Sequence, residues 1–296
     1  MNSSFSTYHP IVSFTYFALV LLFSMLFTHP VCLAISLIAA FLWSVYLGGQ
    51  RALKFNLLYM IPTMVITALI NPAFNHEGVT ILTYLPSGNP LTLESITYGI
   101  SAAAMLVTII CWFSCYNAIM TSDKFVYLFG RIIPAMSLIF SMVLRFVPKF
   151  KTQLKVVSNA QKCVGRDVSN GTIVQRARYG IHILSIMITW ALENSIETAD
   201  SMKSRGYGLP GRTAFSIYRF DERDKNALTL IVATAIYIMI AAFHGDLYWR
   251  YFPYMKGNEI SIWVITAFIA YFLLCIIPLI IDKLEDRKWK RIKLNI

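Results

Sequence analysis

Arg205 stands between Ser204 and Gly206 in the stretch ADSMKSRGYGLPG, residues 199–211. A cation placed there can act in either of two ways. It can complement the partial negative charge and the roughly four unpaired carbonyls of a helix C-terminus, which is worth a few tenths to about 1 kcal/mol. It can equally swing past the helix end and fork onto a carboxylate of a partner. Gly206 supplies a residue able to take positive φ, the usual helix stop, and Gly208 and Pro210 prevent a restart. Other residues with chemistry are sparse. Cys111 and Cys115 share a helix face at four-residue spacing, yet no His or acid lies nearby to complete a metal set, so they read as small packing residues. His9, His29, His76, His182 and His244 are far apart, and none begins an HExxH motif, so each reads as an interfacial or packing residue and not a ligand. No Gly-x-Ser-x-Gly elbow occurs, and the dipeptide Gly-Lys is absent, which excludes a P-loop ATPase. No catalytic residue, no metal and no cofactor bound by this chain is expected.

The elements that must position Arg205 belong to a membrane protein. Hydrophobic residues make up 57% of the 296, and charged residues only 14%, where a soluble domain carries about a quarter. The apolar residues come in charge-free runs: Ile11–Thr28, Val31–Leu47, Phe55–Ile70, Ser95–Met120, Ala227–Phe243 and Ile260–Ile281. Most have the length that crosses a bilayer as helix. Their lack of ionisable residues disfavours proton-driven transport, which needs buried titratable groups or broken helices near the midplane. The net charge of +11 is concentrated, with 16 Lys/Arg between Thr121 and Lys225 and six more after Ile281. Arg51 and Lys54 lie in a short loop expected between the second and third runs, Asn71–Glu94 has no Lys or Arg, and the charges of His244–Glu259 balance. Basic residues favour the cytoplasmic side, so six spans with both termini inside satisfy every count. This placement, with contact to anionic lipid in the bilayer, accounts for the basic excess without nucleic acid. The chain divides into residues 1–120 with four transmembrane helices, a cytoplasmic platform at 121–225, and residues 226–296 with two more helices and a basic tail. The expected class is an all-α membrane protein, about six transmembrane helices plus a large cytoplasmic or interfacial coupling-helix platform.

The platform contains two further apolar runs, Ile132–Leu144 and Ile181–Leu192. As spans they would carry Arg145, Lys149, Lys151, Lys155, Lys162, Arg166, Arg176 and Arg178 outside against Asp167 alone, so helices along the inner membrane face are expected instead. Val147, Phe150, Leu154, Val157 and Val164 recur at three-, four- and seven-residue steps and predict one helix stripe. Pro148 either kinks this helix or marks its start. A second helix is predicted from about His182 to Arg205. Leu192, Ile196, Ala199 and Met202 form one of its stripes, and Glu193, Glu197, Asp200 and Ser204 another.

Four segments, in this order, resemble the transmembrane T component of energy-coupling factor transporters, the EcfT/CbiQ-like family of prokaryotic vitamin and metal importers. They are NPAFNHEGVTILTYL, TSDKFVYLFGRIIPAMSLIFSMVLRFVPKFK, ADSMKSRGYG and GRTAFSIYRFDERD. The resemblance covers nearly the whole chain. It implies a non-enzymatic scaffold in the prokaryotic cell membrane that links two ABC ATPases, where ATP binds, to a small membrane S component carrying the substrate. Each of two crossing helices would place the Arg of a short motif into a groove on one ATPase. Ser204, Arg205 and Gly206 match the second motif. The first falls on AQKCVGRD, residues 160–167, where Gly165 sits as expected but Val164 occupies the Arg slot and Arg166 comes two places late. That departure is consistent with asymmetric docking on non-identical ATPases. The stripe Val147, Phe150, Leu154 and Val157 either packs on neighbouring helices or, as the family implies, offers a sliding surface to the S component. Two rivals are a conventional ABC permease subunit whose own helices line the substrate path, and a membrane-embedded enzyme. The Leu/Ile/Phe/Ala-dominated spans argue against the first, and the scattered ionisable residues against the second. The sequence leaves the transported substrate open.

Overall fold

A computed structural model describes residues 3–84, 90–130, 134–207, 218–259 and 261–294. The chain is an all-α membrane protein. Its helices are α1 Pro10–Leu26, α2 Pro30–Phe55, α3 Ile61–Phe74, α4 Leu93–Ile119, α5 Ser122–Gly130, α6 Pro134–Cys163, α7 Ile173–Ser204, α8 Glu222–His244 and α9 Ile262–Leu294. Two short antiparallel hairpins interrupt them, β1 Ile81–Tyr84 with β2 Pro90–Thr92, and β3 Trp249–Arg250 with β4 Lys256–Gly257. The chain forms two compact units. One comprises Met1–Lys124 and Tyr218–Ile296, the other Phe125–Ile217.

The six apolar runs fall on helical stretches of the first unit except at their ends, where Phe27, Thr28, Met120 and Ser261 are not helical and Ile260 lies outside the described residues. Four stretches are long and apolar enough to cross a bilayer: Pro30–Phe74 taken through its bend, Leu93–Ile119, Glu222–His244 and Ile262–Lys288. The run Ile11–Thr28 lies on α1, a shorter helix of 17 residues. The loop expected around Arg51 and Lys54 is instead helical. Gly49, at φ 59° and ψ −144°, turns the chain, α2 continues to Phe55, and a π-helical turn over Asn56–Met60 leads into α3. One glycine in the positive-φ region is enough to reverse direction. After the reversal Asn56 Nδ2 donates to Ser44 Oγ at 3.1 Å.

The core of this unit is aromatic. Trp43 lies 6.0 Å from Tyr16 and 5.9 Å from Trp112, ring centre to ring centre, and stacks on Phe17 at 5.5 Å. Each polar handle finds an acceptor, as burial in apolar surroundings requires. Trp112 Nε1 donates to Ser36 Oγ at 2.9 Å, and Tyr16 OH donates to the Cys275 carbonyl at 3.0 Å. Close helix approach depends on small residues. A Cβ on Gly99 of α4 would stand 2.6 Å from the Ala68 carbonyl oxygen of α3. Cys111 and Cys115 are buried here, contacting Met60 Sδ at 3.1 Å and the Ala40 carbonyl at 3.9 Å. Beyond Ile281, where the last apolar run ends, α9 continues and carries Asp282 into the core. The Asp282 carboxylate accepts from Ser3 Oγ at 2.8–2.9 Å, from the Phe5 amide at 2.8 Å and from Trp43 Nε1 at 3.3 Å. One turn on, Asp286 accepts from Tyr46 OH.

The second unit is built on α6 and α7. Val157 of α6 packs with Ile183 and Met187 of α7, flanked by Val168, Ile186 and Trp190. Phe150 meets Trp190 edge-on at 5.2 Å, and Lys149 Nζ lies 5.5 Å above the same ring. Pro148 is inside α6, not at its start. The α7 helix begins at Ile173, about nine residues before the sequence reading placed it. The signal is a capping box: Thr172 Oγ1 accepts from the Gln175 amide at 3.4 Å, and Gln175 Oε1 accepts from the Thr172 amide at 3.2 Å. Polar spacing over 173–180 conceals the helix from an apolar-periodicity reading. The run Ile181–Leu192 is thus the middle of a 32-residue helix, and Ile132–Leu144 lies at the start of α6, with Ile132 and Ile133 outside the described residues.

Candidate functional site

The two long helices of the second unit end in the same hydrogen-bonded stop. At the end of α6 the Arg166 amide donates to the Gln161 carbonyl at 2.9 Å and the Gly165 amide to the Lys162 carbonyl at 3.0 Å. At the end of α7 the Tyr207 amide donates to the Met202 carbonyl at 3.1 Å and the Gly206 amide to the Lys203 carbonyl at 3.0 Å. A six-to-one bond enclosing a five-to-two bond is the Schellman motif. Gly165 at φ 82° and Gly206 at φ 76° supply its left-handed residue. An L side chain there costs roughly 1–2 kcal/mol. Gly206→Ala is therefore expected to lower the thermal midpoint of the purified chain and fray the last turn of α7, read as faster amide exchange at Lys203–Tyr207. Gly208 and Pro210, which were expected to block a restart, lie outside the described residues.

Superposing the two hydrogen-bond patterns aligns QKCVGR, residues 161–166, with MKSRGY, residues 202–207. Val164 occupies the slot of Arg205, Gly165 that of Gly206, and Arg166 that of Tyr207. Arg205 is exposed and makes no side-chain hydrogen bond or ion pair among the described residues. Ser204, also exposed, donates its hydroxyl to the Ser201 carbonyl at 2.9 Å. Arg166 is exposed as well, but its Nη1 lies 3.1 Å from His182 Nε2 on α7. From sequence His182 is expected to be an interfacial or packing residue. Only the hairpin brings it to Arg166 across 16 positions, and no local spacing announces that contact.

The connection between the helices is tightly tied. Lys162 Nζ pairs with Asp167 Oδ2 at 3.2 Å, and Asp167 Oδ1 accepts from the Ser169 amide at 2.9 Å. The Ser169 hydrogen bonds, helped by Lys162, hold the Asp167 carboxyl below the usual range. A depressed carboxylate stabilises the turn above its unfolded pKa, and that contribution is lost as pH falls through the folded one. Arg176 Nε closes the turn onto the Val168 carbonyl at 2.8 Å.

The predicted α6 stripe divides. Val157 is buried in the hairpin core, whereas Val147, Phe150 and Leu154 are exposed, Phe150 with its ring set against that of Trp190. Val164 lies past the helix end and is exposed. On α7 two sides are apolar. Ile183 and Met187 face α6, while Ile181, Leu184, Ile188, Leu192 and Ile196 form an exposed row at three- and four-residue steps. Glu193, Glu197 and Asp200 are exposed as well.

Comparison with known proteins adds to this geometry. The family model described as CbiQ, cobalt transport protein, matches residues 2–215. The chain is similar to the "Energy-coupling factor transporter transmembrane protein EcfT" of Staphylococcus aureus (strain 04-02981), 32% identical over 111 residues, 37% of this chain and 41% of that one. The protein of the same name from Lactobacillus helveticus (strain DPC 4571) is 30% identical over 109 residues, 36% of this chain and 39% of its own. That of Streptococcus equi subsp. equi (strain 4047) is 26% identical over 231 residues, 71% of this chain and 81% of its own. The first two alignments thus span about two fifths of the length of those relatives.

Proposed function

The chain belongs to the CbiQ family of cobalt transport proteins, and on that premise we propose that it is the non-catalytic coupling subunit of an energy-coupling factor importer of vitamins or metal ions. Two ABC ATPases, non-identical, bind ATP on the cytosolic side, and a small membrane S component holds the substrate. The chain itself hydrolyses nothing. It sits in the prokaryotic cell membrane with both termini in the cytoplasm. The supporting observation is the pair of matched helix stops, at Gly165 and at Gly206, each bearing an exposed cation. In this reading Arg205, with Ser204 and Gly206, enters a groove on one ATPase. Arg166, beside Gly165, serves the other from two residues further along.

The apolar row on α7 and the exposed part of the α6 stripe, Val147, Phe150 and Leu154, face the S component, and Val157 backs that surface by fixing α6 against α7. Because Arg166 is already held by His182, reversing its charge has the smaller effect. Arg166→Glu is expected to weaken ATPase co-purification by roughly tenfold, about 1.4 kcal/mol, with import reduced but measurable. Equal losses for Arg166→Glu and Arg205→Glu would contradict the asymmetry. The reading as a whole is tested by tagging the chain and identifying what co-purifies in mild detergent. Two ATPases and a small hydrophobic protein are expected, and recovery of neither would overturn it.

A further inference from the structure

The bend at Gly49 lays the start of α3 against α2 and leaves a groove of about 300 Å³ open to the surroundings. Its walls are apolar, with Ile38 and Leu42 on α2, Ile61 and Met64 on α3, and Val107 of α4 at the floor. The exception is Asn56, which is 1% exposed. Its amide nitrogen is satisfied by Ser44, but Oδ1 has no partner among the described residues. A buried amide end left unpaired is costly, so the groove calls for an occupant that is apolar along most of its length and polar at one point. Ser44 can donate as well as accept. The Asn56 amide can therefore turn either its carbonyl or its N–H toward the groove and keep its bond to Ser44.

Charge names the occupant. Arg51, Lys54 and Leu57 follow one another at three-residue steps on the helical stretch entering the groove, and both cations are exposed. Neither has an ion pair among the described residues. Cations that end an apolar run sit at the membrane boundary. A phosphate at Arg51 and Lys54, an ester carbonyl at Asn56 and a hydrocarbon chain beyond it would meet these features in the order in which they stand. We propose that the α2–α3 groove is a binding site for one anionic diacyl phospholipid, its phosphate on Arg51 and Lys54, an ester carbonyl accepting from the Asn56 amide, and one acyl chain along Ile38 and Ile61.

The test uses the full chain, purified in detergent and stripped of bulk lipid, and then mixed with dioleoyl phosphatidylglycerol or dioleoyl phosphatidylcholine. Native mass spectrometry counts retained lipid, and thermal unfolding reads stabilisation. The wild type is expected to retain one phosphatidylglycerol and to be stabilised by it more than by phosphatidylcholine. Asn56→Leu is expected to weaken retention about five- to tenfold, the worth of one hydrogen bond. Arg51→Gln with Lys54→Gln is expected to abolish the preference for the anionic lipid. If Asn56→Leu does not fold, Ile38→Trp decides, since it fills the groove from a position that is 57% exposed and is expected to displace the lipid from a folded chain. Retention by folded variants equal to wild type, equal binding of the two lipids, no retained lipid at all, or a groove protected only when a partner subunit is bound would each overturn the proposal.

Discussion

Arg205→Glu is expected to remove one ATPase from the purified complex and to stop import, while the chain itself still folds and inserts. The side chain is exposed and makes no hydrogen bond or ion pair among the described residues, so nothing among them depends on its charge beyond a small interaction with the helix end. If Arg205 forks onto a carboxylate in the partner's groove, truncation loses about 2–5 kcal/mol, and reversal adds repulsion between like charges. That corresponds to a drop in co-purification of at least about a hundredfold. Arg205→Lys keeps the charge but not the planar fork and should fall between. The readouts are stoichiometry after affinity purification and substrate uptake in vesicles. Full assembly and full uptake with Arg205→Glu would remove the docking role from this helix end.

The second large effect is on folding. Asp282→Ala removes the acceptor shared by Ser3 Oγ, the Phe5 amide and Trp43 Nε1. Each buried donor left unpaired costs about 1–3 kcal/mol, so the sum is on the order of 3–5 kcal/mol after partial relaxation. In detergent this should appear as a fall of roughly 10 °C in the midpoint of unfolding. Release of the Ser4–Thr7 turn should accompany it, seen as increased proteolysis near the N-terminus. Asp282→Asn keeps one carbonyl acceptor and should lose about half as much. Asp286→Ala, which among the described residues frees Tyr46 alone, should lose less again. A melting curve for Asp282→Ala that overlays the wild type would show that the segment is held by its apolar contacts alone.

Helix positions in the membrane unit were legible because apolar runs and their flanking charges carry both length and boundary information. The same logic hid Asp282. A carboxylate immediately after Ile281 reads as the solvent end of a helix, and only the fold shows α9 extending through it to meet residues 239 to 279 positions away. The turn at Gly49 was misread for a related reason. Adjacent glycines followed by Arg51 and Lys54 look like a loop, yet a single left-handed residue reverses the chain and helix formers resume at once. At the candidate site, the stop at Gly206 and the exposure of Arg205 followed from residue types. The equivalence of the two helix ends required the hydrogen-bond registers, which place Arg166 opposite Tyr207 and not opposite Arg205. His182 was invisible in sequence because its relation to Arg166 exists only across the hairpin.

Pro148 has a mechanical consequence. At 1.5 Å per residue, α6 and α7 are roughly 45 and 48 Å long. A rod of that length turns a tilt of about 5° at its tip into roughly 4 Å at the far end. The 32 residues of α7 contain no proline, whereas α6 lacks one backbone donor near its midpoint, where bending is cheapest. Force applied at Gly206 would travel through a stiff lever, and force applied at Gly165 through a jointed one, so equal strokes at the two ends would arrive unequal.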